Sequence, residues 1–253
     1  MGTSSSSAGR KGSSPLVPAW ADATPGVPLP APQPVPFRTF RTEFGRWAAG
    51  GGEGSLRSAL GHYARTSTSG AAVGPRRFGP AYATGGDLFG LLSEMQAGGS
   101  GAHTTGVDFS GLVGQPIDVA TQEIARSLAP ENADADRIAS AMQEAVAEAL
   151  PDVSIFDPVA MSADQIITVL VQFMSLILFN QVVEDAASAW NKAPDADRTV
   201  EAEGELLELI KAAVDKHLSP KLADGVGRLA KADVQRLQRE AMEEGWREWE
   251  AYQ

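Results

Sequence analysis

The chain has no cysteine, and its three histidines are scattered at His62, His103 and His217. The lack of cysteine excludes a disulfide framework and a thiolate metal site, and it fits a reducing compartment. The sequence also has no zinc-binding spacing, no phosphate-binding loop and no serine nucleophile with a positioned base. We therefore predict a protein that is not an enzyme and that has no catalytic residues, no metal site and no cofactor.

Long apolar runs are missing as well. The longest extends over 14 residues from Ile166 to Phe179 and is interrupted by Thr168, Gln172 and Ser175, which is too short to span a bilayer. The start of the chain, Met1 to Ser7, has no apolar run of the kind that a secretory signal needs. These absences predict no membrane contact and a cytoplasmic location.

Charge is unevenly distributed along the chain, whose net charge is −11. Residues 1–80 hold nine basic and three acidic residues, a net charge of +6, whereas the remainder holds 12 basic and 29 acidic residues, a net charge of −17. An acidic surface repels nucleic acid, so only the N-terminal third could bind it by electrostatics. A nucleic-acid-binding adaptor that uses Arg38, Arg41 and Arg46 is therefore an alternative function, which we do not favour.

Composition divides the chain into three regions. Residues 1–36 contain six serines before Pro15 and eight of the 16 prolines, which predicts a disordered tail held in an extended polyproline conformation away from the body. Trp20 is the only aromatic residue of this tail, and it either docks a partner or rests loosely on the body. A basic, Gly-rich region with short helices follows over 37–110, and an acidic helical bundle over 111–253.

Two aromatic stripes have helical spacing. The first consists of Phe37, Phe40, Phe44 and Trp47, and the second includes Trp246 and Trp249. The first stripe either stacks on nucleic-acid bases or packs on the acidic body, and packing is favoured. The second either docks into the core of its own chain or forms a face for a partner protein. The candidate partner contacts of the two stripes are Phe37, Phe40, Phe44, Trp47, Trp246 and Trp249.

The body shows helical periodicity and no strand pattern, so we predict an all-α bundle. Ser162, followed three residues later by Gln165, indicates a capping box that opens a long helix to about Trp190. This helix is apolar nearly all round, which places it in the middle of a bundle or at an interface. We expect the other helices after Ser55 to about Tyr63 and over Asp87–Gln96, Pro116–Leu128, Asp134–Leu150, Thr199–Leu218 and Asp224–Tyr252, with loops over Gly70–Gly86 and Gly98–Gly106.

The segment Asp-Ala-Asp-Arg occurs twice, at Asp134–Arg137 and Asp195–Arg198. Such acidic pairs either bind magnesium or cap the start of a helix, where a carboxylate complements the positive end of the helix dipole. We favour capping.

The N-terminal third resembles a known family. The start Met1-Gly2-Thr3-Ser4-Ser5-Ser6-Ser7, the segment from Pro15 to Trp20, the segment from Ser55 to Thr66 and the pair Arg76-Arg77 are similar to those of the QatB proteins of bacterial Qat anti-phage operons. The resemblance is clearest over residues 1–95. Typical members carry a more regular pattern of small residues and arginines after the tyrosine, whereas here Thr66 to Gly70 is a plain linker. The helical remainder has no motif specific to the family.

The resemblance implies a non-catalytic subunit that works beside an ATPase, a QueC-like enzyme and a TatD-like nuclease. QueC-like enzymes belong to 7-deazapurine chemistry, and in defence operons they are thought to acylate an N-terminal glycine amine. Carried over to this sequence, the acceptor is Gly2, with Thr3, Ser4, Ser5, Ser6 and Ser7 threading the enzyme's pocket. Removal of Met1 from a sterically open tail would leave this amine free.

Overall fold

Helices account for most of the chain in the computed structural model, which describes residues 16–31, 37–223 and 225–252. Within these ranges the only strand-like pairing is an isolated bridge between Pro116 and Ile155. The all-α prediction is confirmed. The helices are α1 (Arg38–Ala48), α2 (Glu53–His62), α3 (Gly79–Gln96), α4 (Ala102–Thr105), α5 (Ile117–Leu128), α6 (Ala135–Ala149), α7 (Ala163–Ala186), α8 (Ala196–Leu222) and α9 (Lys231–Glu250).

Helix α7 lies at the centre of the body. It begins at the predicted capping box, where Gln165 N donates to Ser162 Oγ (3.1 Å) and Ser162 N donates to Gln165 Oε1 (2.8 Å). Helices α3, α6 and α8 pack around it, and between residues 166 and 178 only Thr168 is exposed. A helix that is apolar nearly all round can be covered in this way only from several sides, so its predicted central position is confirmed.

The same region is long enough to cross a membrane. The segment Ala163–Lys192 passes that test by length and composition, with a mean hydropathy of 2.1 in its most apolar window. The apolar run of 14 residues understates this length because it ends before Asn180, whereas α7 continues to Ala186. However, 78% of the window is buried inside the body, which is the pattern of a core helix in a soluble protein.

Side chains from both sides of residue 110 share one core. Aromatic residues of α1 meet Trp190, which follows α7: the Phe44 and Trp190 ring centroids lie 4.8 Å apart, and those of Trp47 and Trp190 lie 5.9 Å apart. The buried cluster continues through α3, α6 and α8 to Trp246 and Trp249 in α9. The change in composition near residue 110 therefore does not separate two cores.

The loop predicted over Gly70–Gly86 is wrong for its second half. A 3₁₀ helix, Gly74–Phe78, leads directly into α3 at Gly79. In the sequence, Gly85 and Gly86 suggest a loop, but in the structure they allow α3 and α9 to approach closely because they have no side chain. A Cβ atom on Gly85 would overlap the side chain of Gln238 in α9, and one on Gly86 would overlap Gln235.

Three helix ends also differ from the prediction. Ser55 is not a cap, because α2 begins at Glu53 after Gly52. Helix α8 continues through Pro220 to Leu222. Helix α9 begins at Lys231 rather than near residue 224, because Gly227 has a φ of +82°, a left-handed conformation that interrupts a helix.

Candidate functional site

The N-terminal part of the described chain lies against the body. We call residues 16–31 the anchored segment. Val17 and Ala21 are buried, Ala23 N donates to Arg76 O (2.8 Å), and Gly79 N donates to Ala21 O (3.0 Å). The prediction that residues 1–36 keep clear of the body is therefore wrong for the part of this segment up to Thr24, which packs on the body, whereas residues 25–31 are exposed.

Arg76 is the anchor of this segment. Its Nε donates to Asp22 Oδ1 (2.9 Å) and its Nη2 to Asp22 Oδ2 (2.6 Å), so the guanidinium binds the carboxylate through two parallel bonds. Nη2 also donates to Thr24 O (3.0 Å) and Val27 O (2.7 Å). The side chains of Arg76 and Asp22 are only 6% and 10% exposed. The hydrogen bond from Arg76 holds the pKa of Asp22 below its usual value, although burial acts in the opposite direction.

Arg77, the next residue, points into the core. Its Nη1 donates to Asp185 Oδ2 (2.7 Å), and the Tyr63 hydroxyl donates to the same oxygen (2.9 Å). The Arg77 and Asp185 side chains are 2% and 0% exposed. Burial raises the pKa of Tyr63 well above its usual value, and the neighbouring Asp185 charge raises it further. Burial, the largest single influence, lowers the pKa of the Arg77 guanidinium, but Asp185 together with Tyr63 and Glu184 raises it above its usual value.

The predicted linker after Thr66 is part of the same packing. Residues Tyr63–Ser67 form a π-helical turn, which extends α2 and places Tyr63 on Asp185. Thr68 is buried; its hydroxyl donates to Tyr63 O (2.9 Å) and accepts a hydrogen bond from Trp246 Nε1 (2.9 Å). The interpretation of Thr66–Gly70 as a plain linker is therefore wrong, because these residues connect α2 to α9.

The aromatic stripes are in the core. All six residues predicted as partner contacts are almost fully buried: Phe37, Phe40, Phe44, Trp47, Trp246 and Trp249. Trp47 Nε1 also donates to Glu205 Oε2 (2.7 Å). The prediction that these side chains bind a partner is wrong for this structure, because a side chain packed against its own chain has no free surface. The packing alternative describes both stripes. Trp20, in contrast, is 47% exposed.

Most basic side chains of the N-terminal third are engaged within the chain. Arg76 and Arg77 pair with aspartates, and four more arginines contact carboxylates or carbonyl oxygens: Arg41, Arg46, Arg57 and Arg65. Arg10 and Lys11 lie outside the described residues. Six of the seven arginines of this third that the structure describes are thus in contact with their own chain, although the side chains of Arg46 and Arg57 remain 67% and 49% exposed.

The two Asp-Ala-Asp-Arg segments have structural contacts. Asp195 Oδ1 accepts a hydrogen bond from Arg198 N (2.8 Å) and caps α8. Asp134 precedes α6, and its Oδ1 accepts from Arg137 Nη2 (2.6 Å) without capping the helix. Capping is thus confirmed for the second segment and wrong for the first. Across the part of the chain that the structure describes, no three histidine or acidic side chains are grouped so as to hold a metal ion.

The residues with the most specific predicted role are not described. Gly2 and Thr3 to Ser7 lie outside the described residues, which begin at Leu16. The structure thus shows where the chain that follows the first fifteen residues lies on the body.

Comparison with known proteins identifies the family. A family model described as "Qat anti-phage system associated protein QatB" matches residues 69–248, which is more than half of the chain. The chain belongs to the QatB family. No curated protein and no solved structure matches it. The family match makes this chain a component of the Qat anti-phage system. Its partners are therefore proteins of the same system. Of the residues on which the sequence resemblance rests, the match includes Arg76 and Arg77.

Proposed function

We propose that this QatB-family protein is a non-catalytic subunit whose N-terminus is recognised by a QueC-like enzyme and modified at Gly2. The observation that supports this best is the anchored segment. Because Asp22 is tied to Arg76, the N-terminal residues start from a defined place on a folded body. From Leu16, a fully extended chain of 14 residues reaches at most about 50 Å. Gly2 is thus a tethered group within reach of an enzyme bound beside the body.

The remaining parts of the proposal concern the assembly. The helical body mediates assembly with the other proteins of the system, which include an ATPase and a TatD-like nuclease, in the cytoplasm. Trp20, half-exposed on the anchored segment, and Thr3 to Ser7 contact the QueC-like enzyme. The buried aromatic residues are not part of this contact.

The direct test is the intact mass of the N-terminal peptide, from protein expressed with and without the neighbouring operon genes. We expect an added mass on Gly2 only when the QueC-like enzyme is present. Gly2→Pro converts the terminal primary amine into a secondary one, so the added mass should disappear. Gly12→Pro is the matched control, since it makes the same change away from the terminus and should retain the modification. An adduct on the Gly2→Pro protein would refute the assignment to the Gly2 amine.

A nucleic-acid-binding adaptor is the second candidate, and one cleft favours it. A cleft of about 500 Å³ between α1 and residues 188–192 is lined by Arg41, Arg46 and Lys192, together with Thr42 and Ser188. Binding of DNA or RNA that weakens steeply with salt, and that is lost when Arg38, Arg41 and Arg46 are neutralised, would support this function. Absent or salt-insensitive binding would reject it.

A further inference from the structure

Exposed apolar side chains are concentrated in the anchored segment. Nine large hydrophobic side chains are exposed in the described ranges, and three of them, Trp20, Val27 and Leu29, belong to these sixteen residues. Val27 is 58% and Leu29 39% exposed, and every residue from 25 to 31 is exposed. A segment that is firmly held and yet presents apolar groups to solvent is a candidate contact surface.

A turn lies at the start of this surface. Val27 N donates to Thr24 O (3.3 Å), and Gly26, which follows Pro25, has a φ of +96°. Proline followed by a glycine with positive φ is the pattern of a type II turn. Because Arg76 Nη2 donates to Thr24 O and Val27 O, one side chain holds both ends of the turn. The start of the exposed residues 25–31 is therefore held at a fixed place on the body.

Beyond the turn, the backbone has little conformational freedom. Val27 and Leu29 each precede a proline, which disfavours the α conformation, and Pro28 and Pro30 have φ restricted to about −65°. This alternation favours a polyproline helix, which has no internal hydrogen bonds. The carbonyl oxygen of Val27 accepts from Arg76, so the carbonyl groups available for recognition are those that follow Val27. The only charged residue of the anchored segment is Asp22, which is already paired. The surface therefore offers proline rings, two aliphatic side chains and carbonyl oxygens.

We propose that Val27–Pro30 is a docking ligand that binds an aromatic-lined groove on the enzyme that acts on the N-terminal amine. Grooves lined by aromatic side chains are the sites that recognise preformed polyproline segments. The choice of partner rests on the proposed function. The anchor joins this run to the residues that lead to Gly2, so an enzyme bound to the run holds the N-terminus at high local concentration.

The test is the dissociation constant between the full-length chain and the purified QueC-like enzyme. The variant Val27→Ser/Leu29→Ser should bind about tenfold more weakly or worse, because it removes the exposed apolar contacts of the run. The matched control is Val159→Ser/Val200→Ser, which changes two exposed valines of the body and should leave the dissociation constant unchanged. Both variants should keep the thermal midpoint of the wild type, since all four side chains are exposed.

A second variant separates side-chain contacts from backbone conformation. Pro28→Ala/Pro30→Ala leaves Val27 and Leu29 in place but frees the backbone, so it should also weaken binding. The proposal is overturned if both variants of the run bind within twofold of the wild type, or if the wild-type chain does not bind the enzyme. It is also overturned if the run instead binds another protein of the system.

The intact mass of the same samples distinguishes this inference from the proposed function. If Gly2 gains mass while the variants of the run bind like the wild type, docking through Val27–Pro30 is wrong and the modification stands. If the variants lose binding but the wild-type chain never gains mass, the docking stands and the modification is wrong.

Discussion

Arg76 and Arg77 are neighbours in one 3₁₀ helix, and each donates to an aspartate at nearly the same distance, 2.6 and 2.7 Å. Arg77 reaches Asp185 in the centre of the body, where neither side chain meets solvent. Arg76 reaches Asp22 near the surface and ties down a segment that buries few apolar side chains. The two pairs differ in whether the arginine can be hydrated by water when its aspartate is lost. We call Arg77–Asp185 the inner pair and Arg76–Asp22 the outer pair. Removal of Asp185 leaves the charge of Arg77 in the core, whereas loss of Asp22 allows the anchored segment to detach and Arg76 to become hydrated.

The largest effect is expected at the inner pair. Asp185→Ala should lower the free energy of unfolding by about 3–5 kcal/mol, because it leaves the Arg77 guanidinium buried without its carboxylate. Urea denaturation measures this difference. The double variant Arg77→Met/Asp185→Leu should recover much of the loss, since it removes both charges. A double variant no more stable than Asp185→Ala would show that packing, rather than the unpaired charge, causes the loss.

An intermediate effect is expected at Thr68, which joins the region of the inner pair to α9. Thr68→Val keeps the shape of the side chain but removes the acceptor for Trp246 Nε1 and the donor to Tyr63 O. An unsatisfied buried donor should cost about 1–3 kcal/mol of unfolding free energy. Thr66→Val is the control, because Thr66 is exposed. Equal stability of the two variants would contradict the role of Thr68 as a connection to α9.

The outer pair should hardly change global stability. Asp22→Asn should alter the free energy of unfolding by about 1 kcal/mol or less, since the segment can detach without unfolding the body. Chymotrypsin should cleave after Trp20 faster than in the wild type, because that bond becomes accessible when the segment is released. Asp152→Asn, which removes an exposed carboxylate of the body, should leave the cleavage rate unchanged. An unchanged rate in Asp22→Asn would show that Asp22 does not anchor the segment.

The smallest effect concerns pH, and the two sites should respond at opposite ends of the scale. The pKa of Asp22 is lowered in the folded chain, so its contribution to docking is present above the usual aspartate value of 3.8 and is lost as pH falls below it. The pKa of Tyr63 is raised above its usual value of 10.0, so its contribution to the core is complete below pH 10 and is lost at higher pH.

NMR can follow the acid transition through the amide of Gly26, in the turn held by Arg76. The shift of this signal below about pH 3.8 should be absent from Asp22→Asn. An identical pH profile in that variant would assign the transition to another carboxylate.

The family was predicted from one part of the chain and is shown by another. The resemblance rests mainly on residues 1–95, whereas the match covers residues 69–248. Arg76 and Arg77 belong to both. The helical remainder contains no short motif specific to the family, so the resemblance did not extend to it, although most of the matched range lies there.

What the sequence alone determined is local. The capping box at Ser162 and the cap at Asp195 each involve residues within about one helical turn of each other, so short patterns were sufficient to predict them. The apolar character of α7 belongs to one continuous segment and can be read from its composition.

The tertiary structure decided which of two adjacent arginines points inward, that the aromatic stripes are buried, and that the supposed linker at Thr68 packs on α9. The partners in these contacts are separated by 54 residues for Arg76 and Asp22, 108 for Arg77 and Asp185, and 178 for Thr68 and Trp246. A local pattern contains no information about a partner so far away, and only packing of the whole chain brings the two side chains together.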